Sequence, residues 1–167
     1  MRVSIRAEKP QDEQGIFDVV EAAFETPAEA ELVRNLRPLV NPWISMVATK
    51  GKVIVAHILF TPVKVGLADM AMALGPMAVA PEFQGKGVGS KLVRAGLTAC
   101  RRRGHGVIFV LGHTDFYPRF GFRSAAPLGF RYGNAELDRY FMVAELLPGA
   151  LRGLSGSVRY HPEFDRF

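Results

Sequence analysis

A single cysteine, Cys100, is all the thiol chemistry that this 167-residue chain carries. One thiol cannot close an internal disulfide, so packing and hydrogen bonds must hold the fold, and a reducing, cytoplasmic setting is expected. Long apolar runs are missing too. The longest, "MAMALGPMAVA", contains Gly75 and Pro76 and is too short for a membrane-spanning helix. The opening "MRVSIRAEKP" has no apolar core of the kind a secretory signal needs. No repeat, low-complexity stretch or linker composition divides the chain, so residues 1–167 are expected to form one domain.

Concentrated charge is the last thing lacking. The formal net charge is +5, but apart from "RRRGH" at 101–105 the basic residues are dispersed. They do not interleave with aromatics along one face, as a nucleic-acid footprint would require. What is present is ordinary globular material: 49% apolar and 22% charged residues, enough to bury a real core.

The patterning supplies the elements. "MRVSIRA" alternates as a first strand. "PQDEQGIFDVVEAAF" places Ile16, Phe17, Val19, Val20, Ala23 and Phe24 at helical spacing. "TPAEAELVRNLR" carries a capping-box pattern, with Thr26 at the cap, Pro27 at the first helical position and Glu29 three residues after the cap. "WISMVAT" and "VIVAHILFTPV", joined by "KGK", predict a hairpin. "LADMAMALGPMAVA" predicts another strand, interrupted at Gly75–Pro76, and an amphipathic helix follows from Val88 to Cys100, closed by Arg101–Arg103 and Gly104. "GVIFVLG" reads as a buried strand, "DFYPRFGF" as a short helical turn closed by Gly121, and "RYFMVAELL" and "GSVRYHPEF" as late strands. The order β-α-α-β-β-β-α-β-α-β-β predicts an α+β (mixed α/β) fold with helices on both faces of one sheet.

One stretch runs against helix propensity. "PEFQGKGVGSKLV" sets Gly85, Gly87 and Gly89 at the start of the long helix, although each glycine costs roughly 1 kcal/mol there relative to alanine. A helix start offers unpaired N–H groups and the positive end of the dipole. Stripped of side chains, it can cradle a phosphate directly, with Lys86, Ser90 and Lys91 adding donors nearby. The predicted ligand carries a pyrophosphate. The stretch does not match the Walker pattern. It also fails the dinucleotide fingerprint: the spacing is G-x-G-x-G in mid-chain, and the position about twenty further on falls in the basic "RRRGHG". A nicotinamide or flavin oxidoreductase is therefore disfavoured.

Gln84-Gly85-Lys86-Gly87-Val88-Gly89, following "AVAPEF", fits [Q/R]-x-x-G-x-[G/A]. It resembles the acetyl-CoA pyrophosphate loop of the GNAT superfamily of N-acetyltransferases. About thirty residues on, "FYPRFGF" resembles the second signature of that family, a tyrosine shortly before Gly-Phe. The text "LGPMAVAPEFQGKGVG" is similar to that of a subgroup of bacterial acetyltransferases. The resemblance implies an acyl-CoA N-acyltransferase fold, whose mixed, mostly antiparallel sheet splays between its fourth and fifth strands. Pro76, which cannot donate to a ladder, marks where the splay would begin. It implies acetyl-CoA as co-substrate and no metal. Backbone groups of Met77, Ala78 and Val79 would take the pantetheine arm. Gln84, Gly85, Lys86, Gly87, Val88, Gly89 and Ser90 would take the pyrophosphate. Arg101–Arg103 are candidates for the 3′-phosphate but read better as a solvated helix end.

The implied reaction is direct attack of a neutral primary amine on the thioester in a ternary complex. Tyr117 matches the general acid of the family; Phe116 is adjacent and matches less well. A free alkyl ammonium has a pKa near 10, so a base or water relay is needed. His57 in "VIVAHILF", His113 in "VLGH" and Glu25 between the first two helices are the candidates. His113 departs from the Asn or Asp that family members often carry there, and the central strand lacks the glutamate that several use as base. The acceptor, a small-molecule or peptide amine, is left open, as is a homodimer. The rival reading is a non-catalytic acyl-CoA-binding sensor, which would keep the glycine loop and dispense with the acid.

Overall fold

The computed structural model describes residues 2–166. Among them the chain forms β1 (Ser4–Ala7), α1 (Glu13–Ala23), α2 (Ala28–Leu36), β2 (Ile44–Lys50), β3 (Val53–Val65), β4 (Asp69–Val79), α3 (Val88–Arg102), β5 (Val107–Leu111), β6 (Arg123–Ser124), β7 (Phe130–Arg131), β8 (Phe141–Glu145) and β9 (Gly156–Arg159). The main sheet runs β1-β2-β3-β4-β5-β8-β6, and β9 pairs with the far end of β3 and with β7. All pairings are antiparallel except β4–β5 and β7–β9. This is the α+β fold expected from the element order. No helix among the described residues is long and apolar enough to cross a membrane.

Each sheet face has its own helical cover. On one face Val88, Leu92, Val93, Leu97 and Cys100 of α3 pack with Ile58, Phe60, Met72, Leu74, Ile108 and Val110. On the other, Ile16, Val19 and Val20 of α1 and Ala30, Val33 and Leu36 of α2 pack with Val47, Leu59, Ala78 and Ala80. Burying each large apolar side chain contributes on the order of 1.5–3 kcal/mol. Gly96 lets α3 lie close to the sheet, since a Cβ there would sit 2.5 Å from the Phe60 ring.

The strand expected to break at Gly75–Pro76 does not break; it bulges. Ile58 of β3 faces Met77, whereas Phe60 faces Leu74, so β4 carries one extra residue. That insertion puts Met72, Leu74, Met77 and Val79 all on the α3 face instead of flipping the last two. The parallel ladder with β5 ends at the same point, with Leu74 opposite Val110 as its last pair. Beyond it, Met77, Ala78 and Val79 pair only with β3. The sheet splays between its fourth and fifth strands, as expected.

Local expectations meet mixed outcomes. The capping box at Thr26 does not form. Pro27 occupies the cap position, and Thr26 Oγ1 donates to the Glu29 carboxylate (3.2 Å) instead of accepting from the backbone. The short helical turn expected in "DFYPRFGF" is present as a single 3-10 turn, Tyr117–Phe120, closed by Gly121 at φ +94°. β6 and β7 went unpredicted because two residues carry no periodicity.

Candidate active site

The first turn of α3 begins on bare backbone. Gly85 and Gly87 take φ of +73° and +83°, a conformation that costs other L-residues roughly 1–2 kcal/mol. A Cβ on either would meet nothing within 4 Å. Gly89 serves a different end. It is ordinary helix, and a Cβ there would project toward Val79, Met77 and Phe116 at 3.6–3.8 Å.

The hydrogen-bond accounting shows what the glycines leave open. Gln84 N bonds the Pro81 carbonyl, and the next bonded amide is Lys91 N, which donates to the Gly87 carbonyl at 3.2 Å. None of the amides from Gly85 through Ser90 has a partner among the described residues. They form the positive end of a fifteen-residue helix and open onto a cleft of about 680 Å³.

Met77 and Val79 form the strand wall of this cleft, and Phe83, Gln84, Gly85, Gly87, Gly89 and Ser90 the loop wall. His113, Asp115, Phe116 and Arg119 close the side beyond β5. Gln84 ties loop to strand, its Nε2 donating to the Val79 carbonyl at 2.9 Å. Three expected cofactor residues do not line the cleft. Ala78 is buried under α1 and α2, Val88 is buried under α3, and the Lys86 ammonium stands 5.9 Å from the Phe83 ring centroid. Arg101–Arg103 lie at the far end of α3, ~20 Å from the glycines at 1.5 Å per residue. Arg119 is the cation at the cleft itself. Sequence reading passed over Arg119, Asp115 and Phe83, although all three stand within or beside the two quoted motifs.

Tyr117 does not line the cleft wall. Its ring is buried at 8% exposure, edge-on to Phe116 and Phe122 at 5.1 and 5.7 Å. Gly112 makes room for it, because a Cβ there would sit 2.5 Å from Tyr117 Cε2. Burial pushes the phenol up to about 12, so it holds its proton at neutral pH. The hydroxyl makes no hydrogen bond to a described residue, yet it is not among the fully buried unpartnered atoms; it keeps an opening to solvent.

The three candidate bases lie far apart. Glu25 is exposed in the α1–α2 linker and does not line the cleft. His113 is exposed at the cleft rim, where its carbonyl accepts from Phe116 N and Tyr117 N. His57 is fully buried on the α1/α2 face of β3. Its Nε2 lies 2.8 Å from Ser45 Oγ, and Ser45 Oγ lies 2.5 Å from Glu8 Oε1. Trp43 Nε1 (3.3 Å) and Arg37 Nε (3.2 Å) also donate to Glu8. Desolvation holds His57 down to about 4, opposed by Glu8 and reinforced by Arg37. Glu8, Arg37 and the Trp43–Ser45 pair come from three separate places in the chain, and no local pattern marks them. Among the described residues, the buried side-chain polar atoms lacking a partner are His57 Nδ1, Thr61 Oγ1 and Tyr160 OH. Among the described residues, no three His, Cys, Asp or Glu side chains gather as a metal site.

Comparison with known proteins converges on one family. The model of the acetyltransferase (GNAT) domain matches residues 4–125. The uncharacterized N-acetyltransferase YhbS of Escherichia coli K12 is 36% identical over 166 residues, covering 98% of this chain and 99% of that one. The crystal structure of YhbS from Escherichia coli in complex with CoA superposes with a TM-score of 0.93 at 34% identity, covering 100% of this chain and 94% of that one. A GNAT family acetyltransferase from Brucella melitensis in complex with acetyl-CoA gives a TM-score of 0.82 at 34% identity, covering 98% and 99%.

Proposed function

The chain belongs to the GNAT acetyltransferase family, and from that membership we propose that it moves the acetyl group of acetyl-CoA to the primary amine of a small-molecule or peptide acceptor, both held at once on a single domain spanning residues 1–167. The observation that carries this reading is the run of unpartnered amides from Gly85 to Ser90 at the head of α3, beside an unpaired strand edge at Met77–Val79. A diphosphate satisfies the first and an extended arm with amide groups the second. The relatives crystallised with CoA and with acetyl-CoA support the same ligand.

Acetyl-CoA brings the activated acyl group; the chain supplies position and proton transfer. Backbone groups of Met77 and Val79 fix the arm along β4. The amides of residues 85–90, with Arg119 beside them, hold the diphosphate. Tyr117 is the general acid: its raised pKa keeps it protonated until a leaving thiolate needs the proton. The bulge at Gly75–Pro76 opens the sheet where the amine must meet the acyl carbon.

The test is an amine panel with acetyl-CoA, following free thiol release and CoA binding together. Amine-dependent release supports the proposal. Saturable CoA binding with no release from any amine makes the chain an acyl-CoA sensor, and absence of CoA binding removes both.

A further inference from the structure

Resting on the acetyltransferase reading, the geometry points to Glu8 and Ser45 as positioning residues that lock His57 into the tautomer with a bare Nδ1, and to that Nδ1 as the atom that takes an N–H of the acceptor amine. The argument is donor counting. Burial pushes the Glu8 carboxyl up, but the Ser45 hydroxyl, Arg37 and Trp43 together outweigh it and leave it below its ordinary value. Glu8 is therefore ionised at neutral pH and accepts only. Ser45 has one proton, and at 2.5 Å it donates it to Glu8. Toward His57 Nε2, 2.8 Å away, Ser45 can then only accept, so the imidazole proton sits on Nε2. Nδ1 is left as an unprotonated acceptor, fully buried and without a partner.

A histidine kept only for packing would be expected to pair both nitrogens or reach water. This one pairs Nε2 through Ser45 to Glu8 and leaves the other nitrogen free. The side chains beside it on β4 are small. His57 faces Ala78 across the β3–β4 ladder, and the neighbours on this face of β4, Ala78 and Ala80, offer only methyl groups. Thr61 lies on the same face of β3 as His57, and its Oγ1 also lacks a partner. The charged groups acting on His57 are Glu8, before α1, and Arg37, at the end of α2.

The step balances as follows. The amine lone pair forms the C–N bond to the acyl carbon as the C–S bond breaks. The departing sulfur keeps that electron pair and takes the Tyr117 proton. The amine proton passes to the Nδ1 lone pair, its bonding electrons staying on nitrogen. The imidazolium so formed donates through Nε2 to Ser45 and so faces the Glu8 carboxylate. Its Nδ1 proton, and the one that Tyr117 regains, are exchanged with solvent after the products leave.

The test is ¹⁵N NMR of histidine-labelled full-length protein at neutral pH, alongside kinetics of Ser45→Ala, Ser45→Thr and Glu8→Gln. The expected spectrum has an unprotonated Nδ1 and a protonated Nε2 for His57, and the Nδ1 resonance moves when an amine accepted in the panel is added with CoA. Ser45→Ala is expected to lower kcat ten- to a hundredfold and to mix the tautomers. CoA affinity should stay within twofold, and Ser45→Thr should recover most of the loss. A wild-type His57 with its proton on Nδ1 overturns the inference without any variant having to fold. So does a Ser45→Ala enzyme of wild-type kcat. Should the wild type fail to bind CoA or to turn over any amine, the acetyltransferase reading fails in its own right, whatever the tautomer, and this inference falls with it.

Discussion

Leu74 and Val110 form the last pair of the parallel ladder between β4 and β5. One residue later comes the bulge that keeps Met77 and Val79 on the α3 side. Sheet opening and side-chain orientation are thus set at one place, by a glycine at φ +150° and a proline that cannot donate. The strand wall of the cleft, the glycine loop and the first residue of α3 all follow between Leu74 and Val88.

Gly87→Glu tests the phosphate cradle. Gly87 caps α3 in the left-handed region with open space before it. A glutamate there brings both backbone strain and a negative charge to the amides. CoA binding by isothermal titration is expected to vanish. Gly87→Ala, which carries the strain alone, is expected to lose roughly 1–2 kcal/mol of stability and to keep measurable affinity. A Gly87→Glu protein that still binds CoA at wild-type strength would remove the diphosphate from this loop.

Tyr117→Phe tests the acid. The ring packs the same way without its hydroxyl, so folding and CoA binding should be almost unchanged while kcat falls roughly a hundredfold. Gly112→Ala approaches the same side chain through its ring: the added methyl meets Tyr117 Cε2 at 2.5 Å and must push the ring. It is expected to lower kcat with the hydroxyl still present. Unchanged turnover in Tyr117→Phe would take the phenol out of the mechanism.

The parts legible in the sequence are those carried by local pattern. The glycine loop, the Gly75–Pro76 splay and the tyrosine before Gly-Phe each occupy a few consecutive residues; the loop opens at the head of α3 and the sheet at Gly75–Pro76, while Tyr117 packs behind the cleft wall. The glycines are nonetheless not alike: φ requires Gly85 and Gly87, whereas a Cβ at Gly89 would make ordinary contacts on the cleft wall. The His57 surroundings were illegible because Glu8, Arg37, Trp43 and Ser45 meet only through the β1–β2–β3 ladder and the end of α2. Thr26 shows the opposite failure. The capping pattern was present, but a competing side-chain bond to Glu29 took its hydroxyl.

Gly96→Ala tests the packing of α3. Its Cβ would stand 2.5 and 2.8 Å from Cε2 and Cζ of the fully buried Phe60. A loss of about 1–3 kcal/mol is expected, read as a lower urea midpoint. Gly104→Ala, where a methyl meets nothing but φ is +85°, should cost less, since only the backbone strain remains. Equal losses would mean that the helix can lift off the sheet at little cost.

Acid should destabilise this fold earlier than its carboxylates alone would dictate. Burial holds His57 neutral in the folded chain, down to about 4 from an ordinary 6.5. Unfolded chains therefore bind the extra proton first as pH falls below 6.5, and stability declines through pH 4, where the folded form begins to protonate as well. The slope over that window is about 1.4 kcal/mol per pH unit, and the total about 3 kcal/mol. His105, held down by partial burial and by Arg103, acts with the same sign. Asp12 and Glu8 have pKa values lowered in the folded state, so their contributions are present above the ordinary carboxylate range and are lost only below it. Urea unfolding from pH 7.5 to 4.5 should show the decline starting near 6.5. His57→Gln, stable enough to measure or compared by slope alone, should flatten most of it. A wild-type curve level between pH 7 and 5 would mean that the imidazole is charged or solvated, and the Glu8–Ser45–His57 chain could not then hold it as described.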